Sequence, residues 1–175
     1  MQKWVALLRG VNVGGKNKLP MSELKTYLSA LGLRDIKTYI QSGNVIFYSD
    51  ESNASILSRI IADLVLDKFG FTPKIIVLTI DELQVTIDNC PFMVSEDEGN
   101  LLHYFFLQQD PANPNIQELN AIALPSERWQ IKNSAFYLYT PDGFGRSKLA
   151  IKAEKLLGVA TTARNWRTIS KIIKL

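Results

Sequence analysis

The sequence predicts an α+β fold made of two subdomains, and three observations lead to this prediction. Short runs of β-branched and aromatic residues alternate with longer segments whose apolar residues recur at helical spacing. In the first half these segments follow each other as β-α-β-β-α-β, the ferredoxin-like order with an antiparallel sheet. The second half starts the same order again, so we predict a smaller C-terminal α+β subdomain of similar element order, packed against the first.

The first subdomain is predicted to cover residues 1–92. Its strands are expected where apolar, β-branched and aromatic residues cluster, at residues 4–8, 36–41, 45–48 and 73–78. Pro20 suits the first turn of a helix, and Gly32 suits the C-terminal cap of that helix. A second amphipathic helix is expected over residues 56–69. A capping box that begins at Thr79 opens a third, short helix running toward Cys90.

The second subdomain is predicted to cover residues 93–175, after a linker with an acidic tip at residues 91–100. The predicted strands are residues 101–107, 128–132 and 135–139. The predicted helices are residues 115–123, 147–157 and 165–173. Thr162 is expected to cap the last helix, with Arg164 in its first turn. The predicted order of this half is therefore β-α-β-β-α-α.

Length and composition are those of an ordinary globular protein. The chain has 175 residues, of which 46% are hydrophobic and 21% are charged. A net charge of +3 excludes the strongly basic coat of a general nucleic-acid-binding protein. The single cysteine, Cys90, cannot form an internal disulfide, and no apolar run is as long as a membrane span. We therefore expect a soluble cytoplasmic protein with no signal peptide and no membrane partner.

A glycine-rich loop follows the first predicted strand and is the first candidate site. Gly10, Gly14 and Gly15 leave the backbone open to another group, and Arg9 and Lys16 flank them with positive charge. Residues 10–17 nearly match the phosphate loop of nucleotide-dependent enzymes, but Asn17 replaces the hydroxyl that would hold magnesium. The antiparallel element order also argues against such an enzyme. Two alternatives stay open, a metal-free anion site and a simple turn.

Two further polar clusters complete the candidate site. Ser42, Gly43 and Asn44 lie between the second and third strands. In a ferredoxin-like sheet the first and third strands are central neighbours, so these residues could lie near Arg9; the alternative is a tight turn. Thr162, Arg164 and Asn165 form the third cluster, at the predicted start of the last helix.

An arginine in the first turn of a helix opposes the helix dipole, and a bound anion would make that position tolerable. The alternative is that Arg164 pairs with a carboxylate while Trp166 fills the core.

The lone His103 lies in an apolar strand and is interpreted as a core residue. No second cysteine or histidine lies at metal-ligand spacing from Cys90, and no Ser-His-Asp or Cys-His combination is recognisable. The sequence therefore predicts no metal, no cofactor and no identifiable catalytic residue.

The three clusters together resemble an uncharacterised bacterial family, the domain of unknown function 1697. The resemblance rests on residues 9–15 with Met21 and Leu24, on residues 38–45, and on Thr162 with residues 164–166. Here Ala163 separates Thr162 from the Arg-Asn-Trp run, a minor departure. The resemblance implies an α+β fold with a ferredoxin-like N-terminal subdomain, and it implies no activity.

Two classes of function remain. The first is binding of a phosphorylated or other anionic ligand, including a nucleic-acid phosphate, with or without catalysis. Its predicted ligand-binding residues are Arg9, Asn12, Gly14, Gly15, Lys16, Ser42, Gly43, Asn44, Thr162, Arg164 and Asn165. The second is an RNA-binding or protein-interaction module, although the first and third strands lack the aromatic pattern of an RNA-recognition sheet. The sequence does not indicate the oligomeric state.

Overall fold

The computed structural model describes residues 1–175, which form eight strands and six α-helices. Contacts within the chain group into two compact units, Met1–Gln84 with Lys171–Leu175, and Val85–Ser170. The contacts therefore place residues 85–92 with the second unit and the last five residues with the first. None of the helices is long and apolar enough to cross a membrane.

The first unit contains a four-stranded antiparallel sheet, as the sequence predicts. Its strands are β1 Gln2–Arg9, β2 Arg34–Tyr39, β3 Asn44–Ser49 and β4 Lys74–Thr79. Their order is β2-β3-β1-β4, so β1 and β3 are the central pair. The helices are α1 Met21–Ala30 and α2 Ala54–Phe69, and α3 Ile80–Asp88 starts directly after β4.

Both long helices pack on one face of this sheet, because each carries a stripe of apolar residues at helical spacing. The stripe of α1 includes Leu24 and Leu28, and that of α2 includes Leu57 and Ile61. They form one core with alternate residues of β1, namely Trp4, Ala6 and Leu8. Gly70, in the left-handed region at φ 77°, ends α2.

The second unit repeats the arrangement. Its strands are β5 Leu102–Leu107, β6 Arg128–Lys132, β7 Ala135–Tyr139 and β8 Thr161–Asn165, in the order β6-β7-β5-β8. All three pairings are antiparallel. Its helices are α4 Ile116–Ile122, α5 Lys148–Leu157 and α6 Trp166–Ile172. Both halves thus have the order β-α-β-β-α-β-α.

The strand β8 corrects the prediction for this half, in which Thr162, Arg164 and Asn165 were expected to open the last helix. Residues 161–165 instead pair with β5, with Arg164 opposite Tyr104. The helix begins one residue later, and Asn165 caps it by accepting a hydrogen bond from Thr168 N at 2.9 Å. Arg164 therefore does not oppose a helix dipole, and that part of the argument for an anion is wrong.

Candidate functional site

The glycine-rich loop folds into a small hairpin at the end of β1. Lys16 N donates to the carbonyl oxygen of Val13 at 3.0 Å, and Asn12 N donates to that of Asn17 at 3.0 Å. Gly14 and Gly15 form the two-residue turn with φ values of 57° and 73°, the positive pair that a type I′ turn requires. The loop is therefore a closed ribbon whose glycine tip and Lys16 are exposed, and it does not wrap around a ligand as a phosphate loop would.

Asn12 braces this hairpin through all the hydrogen-bonding groups of its side chain. Its Nδ2 donates to the carbonyl oxygens of Leu19 at 2.9 Å and Gln41 at 2.8 Å, and its Oδ1 accepts from Leu19 N at 2.8 Å. Asn17 adds a hydrogen bond from its Nδ2 to the carbonyl oxygen of Gly10 at 2.9 Å. Since both N–H groups of the Asn12 amide are used, this side chain positions the loop.

The second cluster lies beside the first, because β1 and β3 are neighbours. Leu7 is opposite Asn44 in the register, and Leu8 N donates to the carbonyl oxygen of Gly43 at 2.8 Å. Asn44 is fully buried and donates to the carbonyl oxygen of Tyr39 at 3.0 Å and to Ser42 Oγ at 2.9 Å. The structure thus brings the first two predicted clusters together, with Asn44 and Ser42 holding the turn between β2 and β3.

Positive charge is concentrated at this end of the sheet. Arg9 is directly opposite Lys74 on β4, and both side chains are exposed. Lys16 and Lys18 in the following loop are exposed as well. Like charges opposite each other on neighbouring strands repel, and here both residues also interact with other groups of the chain.

The third predicted cluster belongs to the second unit, and its place in a shared site stays a prediction. Arg164 is buried, and its guanidinium donates to Thr162 Oγ1 at 3.0 Å and to the carbonyl oxygen of Ala163 at 2.8 Å. Burial lowers the pKa of Arg164 to about 10, which leaves the group charged at neutral pH. Asn165 donates from Nδ2 to Asn100 Oδ1 at 3.1 Å.

The structure offers no group of three or more His, Cys, Asp or Glu side chains that could hold a metal ion. His103 is buried and stacked on Phe144, with ring centroids 3.8 Å apart, which agrees with the interpretation of a core residue. The aromatic residues Tyr104, Phe106 and Tyr137 of the second sheet are also buried. They therefore do not form the open stacking platform that RNA-recognition sheets use.

A pocket of about 600 Å³ in the first unit was missed by sequence reasoning. It is lined by Lys3 of β1, Lys25 of α1 and Lys37 of β2, together with the apolar side chains of Ile36 and Ile46. These lysines come from three elements and form no local pattern. The strand register, which pairs β2 with β3 and β3 with β1, relates only Lys3 and Lys37, and Lys25 of α1 lies outside it.

The chain matches one family model and is similar to a solved structure. A family model described as a protein of unknown function, DUF1697, matches residues 1–137. Among solved structures, the conserved bacterial protein SP0830 from Streptococcus pneumoniae has the same fold, with a TM-score of 0.73 and 23% identity over 99% of this chain and 97% of that one. No curated protein matches the sequence. The match over residues 1–137, which include the first two motif clusters, shows that this chain belongs to the DUF1697 family.

Proposed function

We propose that this protein binds an anionic group, such as a phosphate or a carboxylate, at the hairpin end of the first sheet. The observation that carries the proposal is the braced hairpin, which holds Lys16 and the exposed Gly14–Gly15 turn in a fixed position next to the end of β1. Because the loop is already ordered, a ligand would not have to bear the entropy cost of ordering it.

Arg9 and Lys16 supply the charge in this proposal, and the amides of the glycine turn supply further donors. A planar guanidinium favours a phosphate or carboxylate because it can donate two parallel hydrogen bonds. The bracing residues Asn12, Ser42, Gly43 and Asn44 act by fixing the backbone, as their hydrogen bonds within the chain suggest. Participation of Thr162, Arg164 and Asn165 is retained as a prediction.

The proposed site does not use the machinery of a nucleoside triphosphatase. Asn17 carries an amide in place of the metal-binding hydroxyl, and that amide is bonded to the loop itself. The helix that should present its N-terminus to a phosphate starts only at Met21, and the sheet is antiparallel. Binding that does not depend on magnesium is therefore expected.

A thermal-shift titration tests this proposal with inorganic phosphate, pyrophosphate, nucleoside monophosphates and short RNAs at two salt concentrations. Magnesium and a chelator are compared in parallel. We expect saturable stabilisation by at least one phosphate compound in the presence of the chelator. Binding of RNA would instead weaken steeply as salt increases, because phosphate contacts release counterions.

The substitutions Arg9→Ala and Lys16→Ala show whether these side chains form the site. Each should weaken binding by roughly tenfold to hundredfold, the loss of one charged hydrogen bond. Arg59→Ala is the control, because Arg59 is an exposed arginine on α2 of the same unit. If Arg9→Ala lowers the melting temperature of the ligand-free protein while the affinity for phosphate is unchanged, Arg9 is structural and the proposal fails for this residue.

A further inference from the structure

The pocket lined by Lys3, Lys25 and Lys37 lies far from the hairpin site. Lys3 is near the start of β1 and Arg9 is at its end, so about 20 Å of extended strand separates them. The volume of about 600 Å³ is within the range of small-molecule sites. This pocket therefore cannot be an extension of the glycine hairpin and has to be explained separately.

A β-bulge in the edge strand β2 forms one wall of the pocket. From Arg34 to Lys37 the strand advances three residues, while its partner β3 advances only two, from Tyr48 to Ile46. The extra residue lies next to Asp35, whose φ of 48° is in the left-handed region. Bulges bend an edge strand away from its neighbour and are frequent next to functional sites. Here the bulge residues Asp35 and Ile36 line the pocket directly.

The chemistry of the lining combines positive charge with an apolar surface. Three lysines and one acidic side chain, that of Asp35, line the pocket, so its side chains carry an excess of positive charge. The ring of Tyr48 provides the accessible apolar part, because Ile36 and Ile46, which also line the pocket, are almost completely buried. Lys37 Nζ also donates a hydrogen bond to the carbonyl oxygen of Leu175, another lining residue. Lysines bind phosphate as point charges, without the planar geometry that arginine imposes.

We propose that this pocket is a second ligand site, which binds a small organic phosphate with an aromatic or apolar body. The ammonium groups of Lys3, Lys25 and Lys37 hold the phosphate, and the hydroxyls of Ser29 and Tyr48 are placed to donate to it. The body of the ligand packs on the ring of Tyr48, which lies on the same face of β3 as Ile46. The phosphate and the apolar body are both needed, because a ligand with only one of them would contact either the lysines or the apolar part of the lining, but not both.

Phenyl phosphate is the probe, because it carries both a phosphate and an aromatic ring. Inorganic phosphate has only the phosphate, and phenol has only the ring. Titrations are followed by NMR of the isoleucine methyl groups in the full chain. We expect phenyl phosphate to bind saturably and to shift the Ile46 methyl signals, while those of Ile61, in the core beneath α2, stay unchanged. Inorganic phosphate and phenol should each bind at least about tenfold more weakly. Absence of a saturable Ile46 shift up to about 10 mM phenyl phosphate overturns the proposal.

Substitutions separate this site from the hairpin site. Lys25→Ala and Lys3→Ala should each weaken phenyl phosphate binding by about tenfold, measured on the Ile46 signal. Lys16→Ala and Arg59→Ala should leave that affinity unchanged. If Lys16→Ala weakens it as much as Lys25→Ala does, the phosphate is held at the hairpin and the second site does not exist. Failure of the hairpin site alone would leave the Ile46 titration intact.

Discussion

At Gly43 the backbone of the turn between β2 and β3 passes against β1 with no space for a side chain. A Cβ on this residue would lie 2.7 Å from both Leu8 Cβ and Val11 Cγ2, and φ is 76°. Gly70 has the same φ, 77°, but no atom lies within 4 Å of its ideal Cβ position. The two glycines therefore separate the cost of conformation from the cost of close packing.

We expect Gly70→Ala to lower the free energy of unfolding by about 1–2 kcal/mol, the cost of a left-handed alanine. Gly43→Ala should lower the free energy of unfolding by this amount and by about 1–3 kcal/mol more, because Leu8 and Val11 must move to make room for the methyl group. Urea denaturation of both variants measures the difference. Equal losses would mean that the turn shifts freely and does not hold the end of β1.

His103 gives the stability of the second unit a dependence on pH. Burial lowers its pKa from 6.5 to about 4, and its Nδ1 is buried with no hydrogen-bond partner. The unfolded chain therefore takes up a proton near pH 6.5, whereas the folded chain does so only near pH 4. Stability from the neutral imidazole is fully present above pH 6.5 and is lost as the pH falls toward 4.

His103→Phe removes this titration and keeps a ring against Phe144. Between about pH 7.5 and about pH 4.5, the free energy of unfolding of the wild type should fall by about 2–3 kcal/mol more than that of the variant. Denaturant titrations at both pH values measure the difference. Parallel pH profiles for the two proteins would show that His103 can be protonated in the folded state.

At the scale of elements, the hairpin depends on Asn12 more than on Asn17. Both residues have left-handed backbones, with φ values of 54° and 50°. The Asn12 side chain makes three hydrogen bonds, whereas that of Asn17 makes one. A substitution by alanine introduces the same backbone strain at both positions, so Asn17→Ala is the matched control.

Asn12→Ala should therefore cost about 1–3 kcal/mol more than Asn17→Ala, the value of two additional hydrogen bonds. The amide of Leu19, which donates to Asn12 Oδ1, should also exchange with solvent faster in Asn12→Ala. Chemical denaturation and hydrogen exchange of the ligand-free variants measure both effects. Similar stability of the two variants would restore Asn12 as a candidate ligand contact.

The strand β8 shows why one element could not be predicted from its own residues. Thr161, Thr162 and Arg164 are buried although they are polar, so the segment has no apolar alternation. The helices carry apolar residues at helical spacing, and the remaining strands contain clusters of apolar, β-branched or aromatic residues, so these elements were predicted with small errors at their ends. The repeat of element order was the available signal, because the first half places a strand after its second helix.

Much less of the candidate site than of the fold could be predicted. The proximity of residues 9–17 and 42–44 followed from the ferredoxin-like order, since that order makes β1 and β3 neighbours. The roles of Asn12 and Asn44 did not follow, because their hydrogen bonds reach backbone groups that only the folded turns bring within reach. Polar residues typical of ligand sites are also typical of turns.

At the scale of the whole molecule, each unit has a hydrophobic core of its own. Phe47 of β3 lies in the first core and Phe136 of β7 lies in the second, and both are fully buried. The central strands of each sheet are paired on both sides, whereas β2, β4, β6 and β8 are edge strands. We therefore expect the slowest amide exchange in β1, β3, β5 and β7, and faster exchange in the four edge strands.

The matched substitutions Phe47→Leu and Phe136→Leu test whether the two cores are separate units of stability. Each removes part of one buried ring and leaves a cavity in that core alone. We expect Phe47→Leu to accelerate exchange most in β1 and β3, and Phe136→Leu to accelerate it most in β5 and β7. Native-state hydrogen exchange resolved by residue measures both. If either substitution accelerates the slow amides of all four strands equally, the chain unfolds as one cooperative unit, and separate cores do not imply separate stabilities.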